Sequence, residues 1–383
     1  LSVADVLSFI DSFDVAGLAR ELVEIESHSG IKGGEHRVAS KIGELLIDHG
    51  IKPRIDDLRF GANLIASLGS GSPVLVLNGH LDTVPPSRGQ RVLVEDGRLF
   101  GRGACDMKGG LASMVAATVA LSATGVKLKG TLMFTAVSGE ETGSAGTLKL
   151  IRDGLKADCA IVGEPTNLNV IIGARGITPV TITVHGKSAH GSMPEKGVNA
   201  VMKAAKILLK MEEVLPEIYE GKRHPILGNP SFNVGIVKGG SALNMVPDQC
   251  IIQVDRRTII GETAEEVRRE FEELISELMK EDRDLKAEVA AITVIPPALV
   301  DQNLPIVDCV VASVEKLTGR RPQIGSMPYA TDASHLIHAG IPSIIFGPGD
   351  PEKAHTADEY VEVSQLPLAA KAYAMAAMKY LSP

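Results

Sequence analysis

Apolar residues recur at helical spacing over 13–26 and 35–49, for example at Val38, Ile42, Leu45 and Leu46, which predicts two amphipathic helices. Beyond them the pattern changes to short apolar runs bounded by glycine or polar residues, at 73–77, 131–137, 159–162 and 341–346. Such runs suit strands buried on both faces. Helical stretches such as 110–122 separate some of them. This alternation of strand and helix predicts an α/β layer with a mostly parallel sheet.

From about Arg175 to Ile295 the periodicity differs. Residues 177–185 alternate as a strand, 197–214 are helical, 232–237 and 250–254 are strands, 263–279 are helical and 287–294 form a strand. That is the β-α-β-β-α-β order of a split ferredoxin-like unit. A helix near 304–317 and the 341–346 strand then resume the first layer. The expected organisation is a large α/β domain of residues 1–174 and 296–383, with a ferredoxin-like domain of residues 175–295 inserted into it.

Composition narrows the setting. A chain of 383 residues with 44% hydrophobic content can bury a large core and suits two domains. A net charge of −8, with no Lys/Arg-rich run, argues against a nucleic-acid partner. Cys105, Cys159, Cys250 and Cys309 are far apart and form no CxxC pair, which predicts buried reduced thiols and a cytoplasmic location. The N-terminus lacks a basic segment followed by an apolar core, so no signal peptide is predicted. No apolar run reaches the ~18 residues that a membrane span needs, so no membrane partner is expected. The glycine-rich pieces at 69–71 and 347–349 read as turns, and neither has the form of a phosphate loop.

Five segments carry candidate chemistry: Gly79-His80-Leu81-Asp82-Thr83, Gly103-Ala104-Cys105-Asp106-Met107-Lys108-Gly109-Gly110, Ser138-Gly139-Glu140-Glu141-Thr142-Gly143, Gly163-Glu164-Pro165-Thr166 and His355-Thr356-Ala357-Asp358-Glu359. Taken singly, each reads as a strand-end turn, a helix N-cap or a solvated loop. Their positions say more. His80, the Glu140-Glu141 pair and Glu164 each follow a predicted strand, and sites in open α/β sheets gather beyond the carboxyl ends of strands. In extended chain His80 and Asp82 project to one side, so Asp82 could fix the imidazole of a metal-bound His80. The two oxygens of Asp106 can join two cations. Neighbours in extended chain diverge, so one of Glu140 and Glu141 can bind metal while the other faces water. Two histidines and a surplus of carboxylates suit two divalent cations, zinc first with cobalt as the other choice. Converging carboxylates would otherwise repel and take up protons.

On these motifs, and in this order, the chain resembles the dinuclear zinc amidohydrolase and peptidase family that includes acetylornithine deacetylase, succinyl-diaminopimelate desuccinylase, aminoacylase and glutamate carboxypeptidase. The resemblance covers nearly the whole chain. It implies that His80 and Glu164 hold one metal, that Glu141 and His355 hold the other, and that Asp106 bridges them. Asp82 would orient His80, Glu140 would be the general base, and the peptide between Asp106 and Met107 would be cis. The stretch His185-Gly186-Lys187-Ser188-Ala189-His190-Gly191 resembles the family segment whose histidine, here His190, stabilises the oxyanion, often across a dimer. Asn244 and Arg257 match positions near the substrate carboxylate, a role that suits the planar fork of arginine.

The implied activity is hydrolysis of the amide bond of an N-acyl amino acid by a metal-bridging hydroxide. Glutamate at position 164 resembles the deacylase and carboxypeptidase branches, and the alternative is cleavage of short peptides by a metallo-carboxypeptidase. The large domain would then be catalytic. The inserted one would act as a lid and dimerisation domain of a homodimer. No Gly-x-Ser-x-Gly elbow is present to form an acyl-enzyme. A non-catalytic binding protein on the same fold would show the loss of a ligand or of the base, and none is lost.

Overall fold

Four apolar runs become the parallel centre of one sheet, in the spatial order Thr131–Val137, Val74–His80, Cys159–Val162 and Ser343–Ile345. The computed structural model describes residues 2–59 and 61–381. Antiparallel strands flank the parallel centre: Gly61–Gly69 and Arg54–Leu58 on one side, Val170–Ala174 on the other. The chain divides into two compact units, one of 1–173, 299–326 and 331–383, the other of 174–298 and 327–330.

In the first unit the central strands are covered on both faces, and Val74–His80 is buried almost throughout. Helices Gly109–Ala123, Pro305–Thr318 and Gln365–Leu381 pack together over the sheet. Every residue from Gly109 to Leu121 is buried. Residues 104–123 are long and apolar enough, by length and composition, to cross a membrane, contrary to the expectation that no segment would be. The reason is packing: a helix surrounded by protein is apolar all round.

The second unit has the expected βαββαβ order. Its antiparallel sheet runs Ser231–Gly239, Gln249–Thr258, Val180–His185, Lys286–Ala291. Val180, Ile182 and Val184 face the helices, and Thr181 and Thr183 point to the other face, so one side of this sheet is covered. Helix Ala200–Gly221 buries Ala200, Ala204, Ile207, Met211 and Leu215, and helix Ala264–Glu281 buries Val267, Phe271, Leu274 and Ile275, both at helical spacing.

A charge triad ties the start of the first helix to the end of the second. Lys203 Nζ lies 2.6 and 2.7 Å from the two Asp282 oxygens, and Lys206 Nζ lies 2.6 Å from Asp282 Oδ2. The Lys203 hydrogen bonds, with the one from Lys206, lower the Asp282 carboxyl from 3.8 to about 2. A carboxylate whose folded pKa is depressed stabilises above its unfolded value, and that contribution disappears as pH falls from 3.8 towards 2. Asp282→Asn should therefore cost about 0.5–1 kcal/mol at pH 7 and flatten the acid limb of stability, checked by urea unfolding across that range.

Candidate metal centre

Parallel strands bring their carboxyl ends to one edge, and the candidate residues of the first unit follow from that. His80 closes its strand, Glu140 and Glu141 follow Thr131–Val137, Glu164 follows Cys159–Val162, and His355 lies in the loop beyond Ser343–Ile345. Asp106 lies just before helix Gly109–Ala123, and the peptide between Asp106 and Met107 is cis. The helix start is pressed onto the strand end that carries Glu164. A Cβ on Gly110 would sit 2.3 Å from the Gly163 carbonyl oxygen, a backbone contact that no side chain could fit.

The two oxygens of Asp106 face different histidines. Oδ1 is 2.9 Å from His80 Nε2, and Oδ2 is 3.0 Å from His355 Nε2. His80 Nε2 is also 3.7 Å from Glu164 Oε1, and His355 Nε2 is 3.1 Å from Glu141 Oε1. The five side chains therefore form two half-sites, His80 with Glu164 and His355 with Glu141, joined through Asp106. His355 reaches this position with a left-handed backbone, φ 63°, uncommon for a residue with a side chain.

The electrostatics draw positive charge into these gaps. Burial resists protonation of His80, but Glu164 and Asp106 outweigh it and raise its pKa well above the usual histidine value. The Asp106 and Glu141 carboxylates push His355 up to about 10. Burial pushes Glu164 and Glu140 well above the carboxylate range, with neighbouring carboxylates adding to it. Burial opposes ionisation of Asp106 as well, yet the facing histidines hold it below that range. Imidazole and carboxylate donors arranged in this way fit divalent cations such as zinc.

Asp82 is used differently from the sequence expectation. His80 Nδ1 faces the backbone carbonyl of Asp82 at 2.9 Å, while the Asp82 carboxylate stands 3.6 Å away. Its two oxygens are taken by backbone donors: Oδ1 accepts from Glu140 N–H at 3.1 Å and Oδ2 from Glu141 N–H at 3.0 Å. The residue orients His80 through its main chain and the glutamate pair through its side chain. That pair is not in extended chain either, but in a single 3-10 turn, Glu140–Thr142. The turn still separates them, because Glu141 makes the His355 contact.

A model of peptidase family M20/M25/M40 matches residues 76–379. The chain belongs to this family. A protein named acetylornithine deacetylase in Myxococcus xanthus is 32% identical over 79% of this chain and 80% of its own length. One of the same name in Proteus mirabilis is 30% identical over 81% and 80%. The solved structure of aminopeptidase PepT from Bacillus cereus superposes with a TM-score of 0.81 at 26% identity, covering 96% of this chain and 98% of that one. As a member of the family, the chain is a metal-dependent enzyme that hydrolyses amide bonds.

The remaining candidates lie in the second unit, where the structure groups two and separates the third. His190 is exposed, with Nδ1 2.7 Å from Ser192 Oγ. Its segment pairs with that of Asn244: Gly191 N–H donates to the Asn244 carbonyl at 2.7 Å, and Val246 N–H to the Ala189 carbonyl at 2.9 Å. These bonds continue the pairing of Val180–His185 with Gln249–Thr258 past the Gln249 end. Arg257 lies eight residues along that strand in the other direction, about 26 Å at roughly 3.3 Å per residue. Its neighbour Arg256 is buried against Glu262 and Glu270. Arg257 binds only Asp255 among the described side chains, and its buried Nη1 has no hydrogen-bond partner.

Sequence reasoning missed several supporting residues. Glu35 accepts from Gly139 N–H at 2.9 Å, so with Asp82 two carboxylates hold three successive N–H groups of the glutamate turn. Burial, helped by the Asp82 charge, pushes Glu35 up to about 7. Lys108, inside the Asp106 motif, is buried with its Nζ 2.6 Å from the Ile25 carbonyl, and burial lowers it to about 7. No local spacing announces these contacts.

Proposed function

We propose that this enzyme hydrolyses the amide bond of N-acyl amino acids at a centre holding two divalent cations. The observation that carries the reading is the division of Asp106, one oxygen towards His80 and Glu164 and the other towards His355 and Glu141. Those five residues would hold the cations, with zinc favoured by the donor set and cobalt as the other choice. Cations bound there would polarise the scissile carbonyl and lower the pKa of an attacking water from 15.7 to roughly 7. Glu140, held by Asp82 through its N–H and clear of the His355 contact, accepts the proton of that water and returns it to the leaving amine nitrogen. His190 donates to the developing oxyanion, and Arg257 pairs with the substrate carboxylate through its fork.

Identity to two proteins named acetylornithine deacetylase supports the acyl amino acid over the peptide. The second reading, a peptidase acting on short peptides, draws on the likeness to the Bacillus cereus aminopeptidase. Steady-state rates on N-acetylornithine, N-succinyl-diaminopimelate, other N-acetyl amino acids and dipeptides decide between them. A kcat/KM for every dipeptide exceeding that for every acyl amino acid would overturn the proposal.

The second unit would work as a lid and as the interface of a homodimer. Strand Ser231–Gly239 is an edge strand with Ile236 and Val237 exposed, and the adjoining helix Ala200–Gly221 exposes Met202 and Leu209, the latter at 66%. Unpaired apolar edges of this kind invite pairing with a second copy. The span between Arg257 and the His190–Asn244 pair is far longer than an N-acyl amino acid. If both ends serve one substrate, one end comes from the partner subunit.

His190→Ala should lower kcat by about 10²–10³-fold with metal content unchanged. Mixing it with an inactive Glu141→Ala protein should restore part of the activity through hybrid dimers. A fully active monomer by sedimentation would refute the cross-subunit arrangement. The four cysteines are buried and form no disulfide, which supports the cytoplasmic reading.

A further inference from the structure

The segment that supplies His355 ends in Glu359, whose side chain is 0% exposed. Its Oε1 accepts from Cys105 N–H at 3.0 Å and from Asp106 N–H at 3.1 Å. Its Oε2 pairs with Arg102 Nη1. Arg102 reaches back to the other segment: Nη2 donates to the Thr356 carbonyl at 3.3 Å and lies 3.5 Å from that of His355, while Nε donates to Pro85 O at 3.2 Å. The main chain closes the loop, with Gly101 N–H donating to the Glu359 carbonyl at 3.1 Å. One buried ion pair thus binds the Asp106 segment to the His355 segment across some 250 residues of chain.

Buried ion pairs are a poor source of stability, because desolvation offsets their attraction, and a well-packed apolar pair often serves as well. What this pair supplies is geometry. Asp106 must present one oxygen to each half-site, and a shift of its backbone relative to His355 would open one of them. The fork of Arg102 is suited to the task, since it can hold a carboxylate and backbone carbonyls in fixed directions at once.

We propose that Arg102 and Glu359 are positioning residues that fix Asp106 relative to His355, and so set affinity for the cation held by Asp106, Glu141 and His355. The inference rests on the two-cation reading above. Outer contacts that orient ligating residues typically account for about 10–100-fold in metal affinity.

The discriminating variant is Arg102→Lys, which keeps a cation beside Glu359 but loses the fork. Zinc affinity is measured by chelator competition, and the visible spectrum is recorded on the cobalt-loaded protein. Melting of the metal-free protein tests whether the fold survives. Affinity for one of two ions should fall 10–100-fold and the cobalt spectrum should change, with metal-free melting near that of the wild type. Wild-type affinity for both ions with an unchanged spectrum would overturn the proposal, whatever happens to melting. Should Arg102→Lys fold poorly, the double variant Arg102→Met with Glu359→Gln removes both charges, and the same criteria apply to it. Failure of the wild type itself to take up two ions would instead sink the reading beneath.

Discussion

Glu140→Ala is expected to lower kcat by about 10²–10⁴-fold, the usual worth of a positioned general base, while two cations stay bound. The two glutamates of the turn differ in what they touch. Glu141 Oε1 lies 3.1 Å from His355 Nε2, whereas the bonds of Glu140 are made by its main chain, its N–H donating to Asp82 and its carbonyl accepting from Gly143 and Ser144. Burial pushes the Glu140 carboxyl well above the usual range. Positive charge placed beside it draws it back, towards the region where a base can both accept and release a proton near neutral pH. Elemental analysis and steady-state kinetics on Glu140→Ala and Glu141→Ala separate the roles. The Glu141 variant should lose metal, and the Glu140 variant should lose only turnover. Metal loss in Glu140→Ala with retention in Glu141→Ala would reverse the assignment.

Strands Thr131–Val137 and Cys159–Val162 could be read from the chain because fully buried strands are short apolar runs between turns. Arg54–Leu58 was not legible: an edge strand reading Arg-Ile-Asp-Asp-Leu has no continuous apolar signature. Helix Val3–Ser12 was missed although Ser2 and Asp5 form a capping box at its start. The segments that meet at the centre were legible because each carries a local motif, and those of His80, Glu140-Glu141 and Glu164 follow predicted strands. Their supports were not. Glu35 meets Gly139 and Glu359 meets Asp106 through backbone N–H groups, and any residue type offers a backbone N–H, so nothing in the sequence marks the partner. The spacing of His80 and Asp82 suggested a carboxylate on the imidazole. The structure spends that carboxylate on the glutamate turn, because a main-chain carbonyl already faces His80 Nδ1.

Asp106→Ala should abolish both hydrolysis and paired metal binding, the widest loss of any single change in this centre. Glu141, Glu164 and Asp106 carry three negative charges when ionised, and two divalent cations supply four positive ones. Removing Asp106 takes away the residue that faces both half-sites. It also takes from His80 and His355 the Asp106 oxygens at 2.9 and 3.0 Å, leaving each with one glutamate beside it. Exhaustive chelation of the wild type should have the same catalytic effect without a mutation. It should also lower the melting temperature, since a ligand at 100 times its Kd contributes about 2.7 kcal/mol to the folded state. Restoring zinc or cobalt should recover activity and melting in the wild type and neither in Asp106→Ala. Two measurements decide the matter: ions per chain in active protein, and the residual rate after chelation. One ion or none per chain, with full activity after chelation, would remove the two-cation mechanism and leave the division of Asp106 between two histidines as a structural contact.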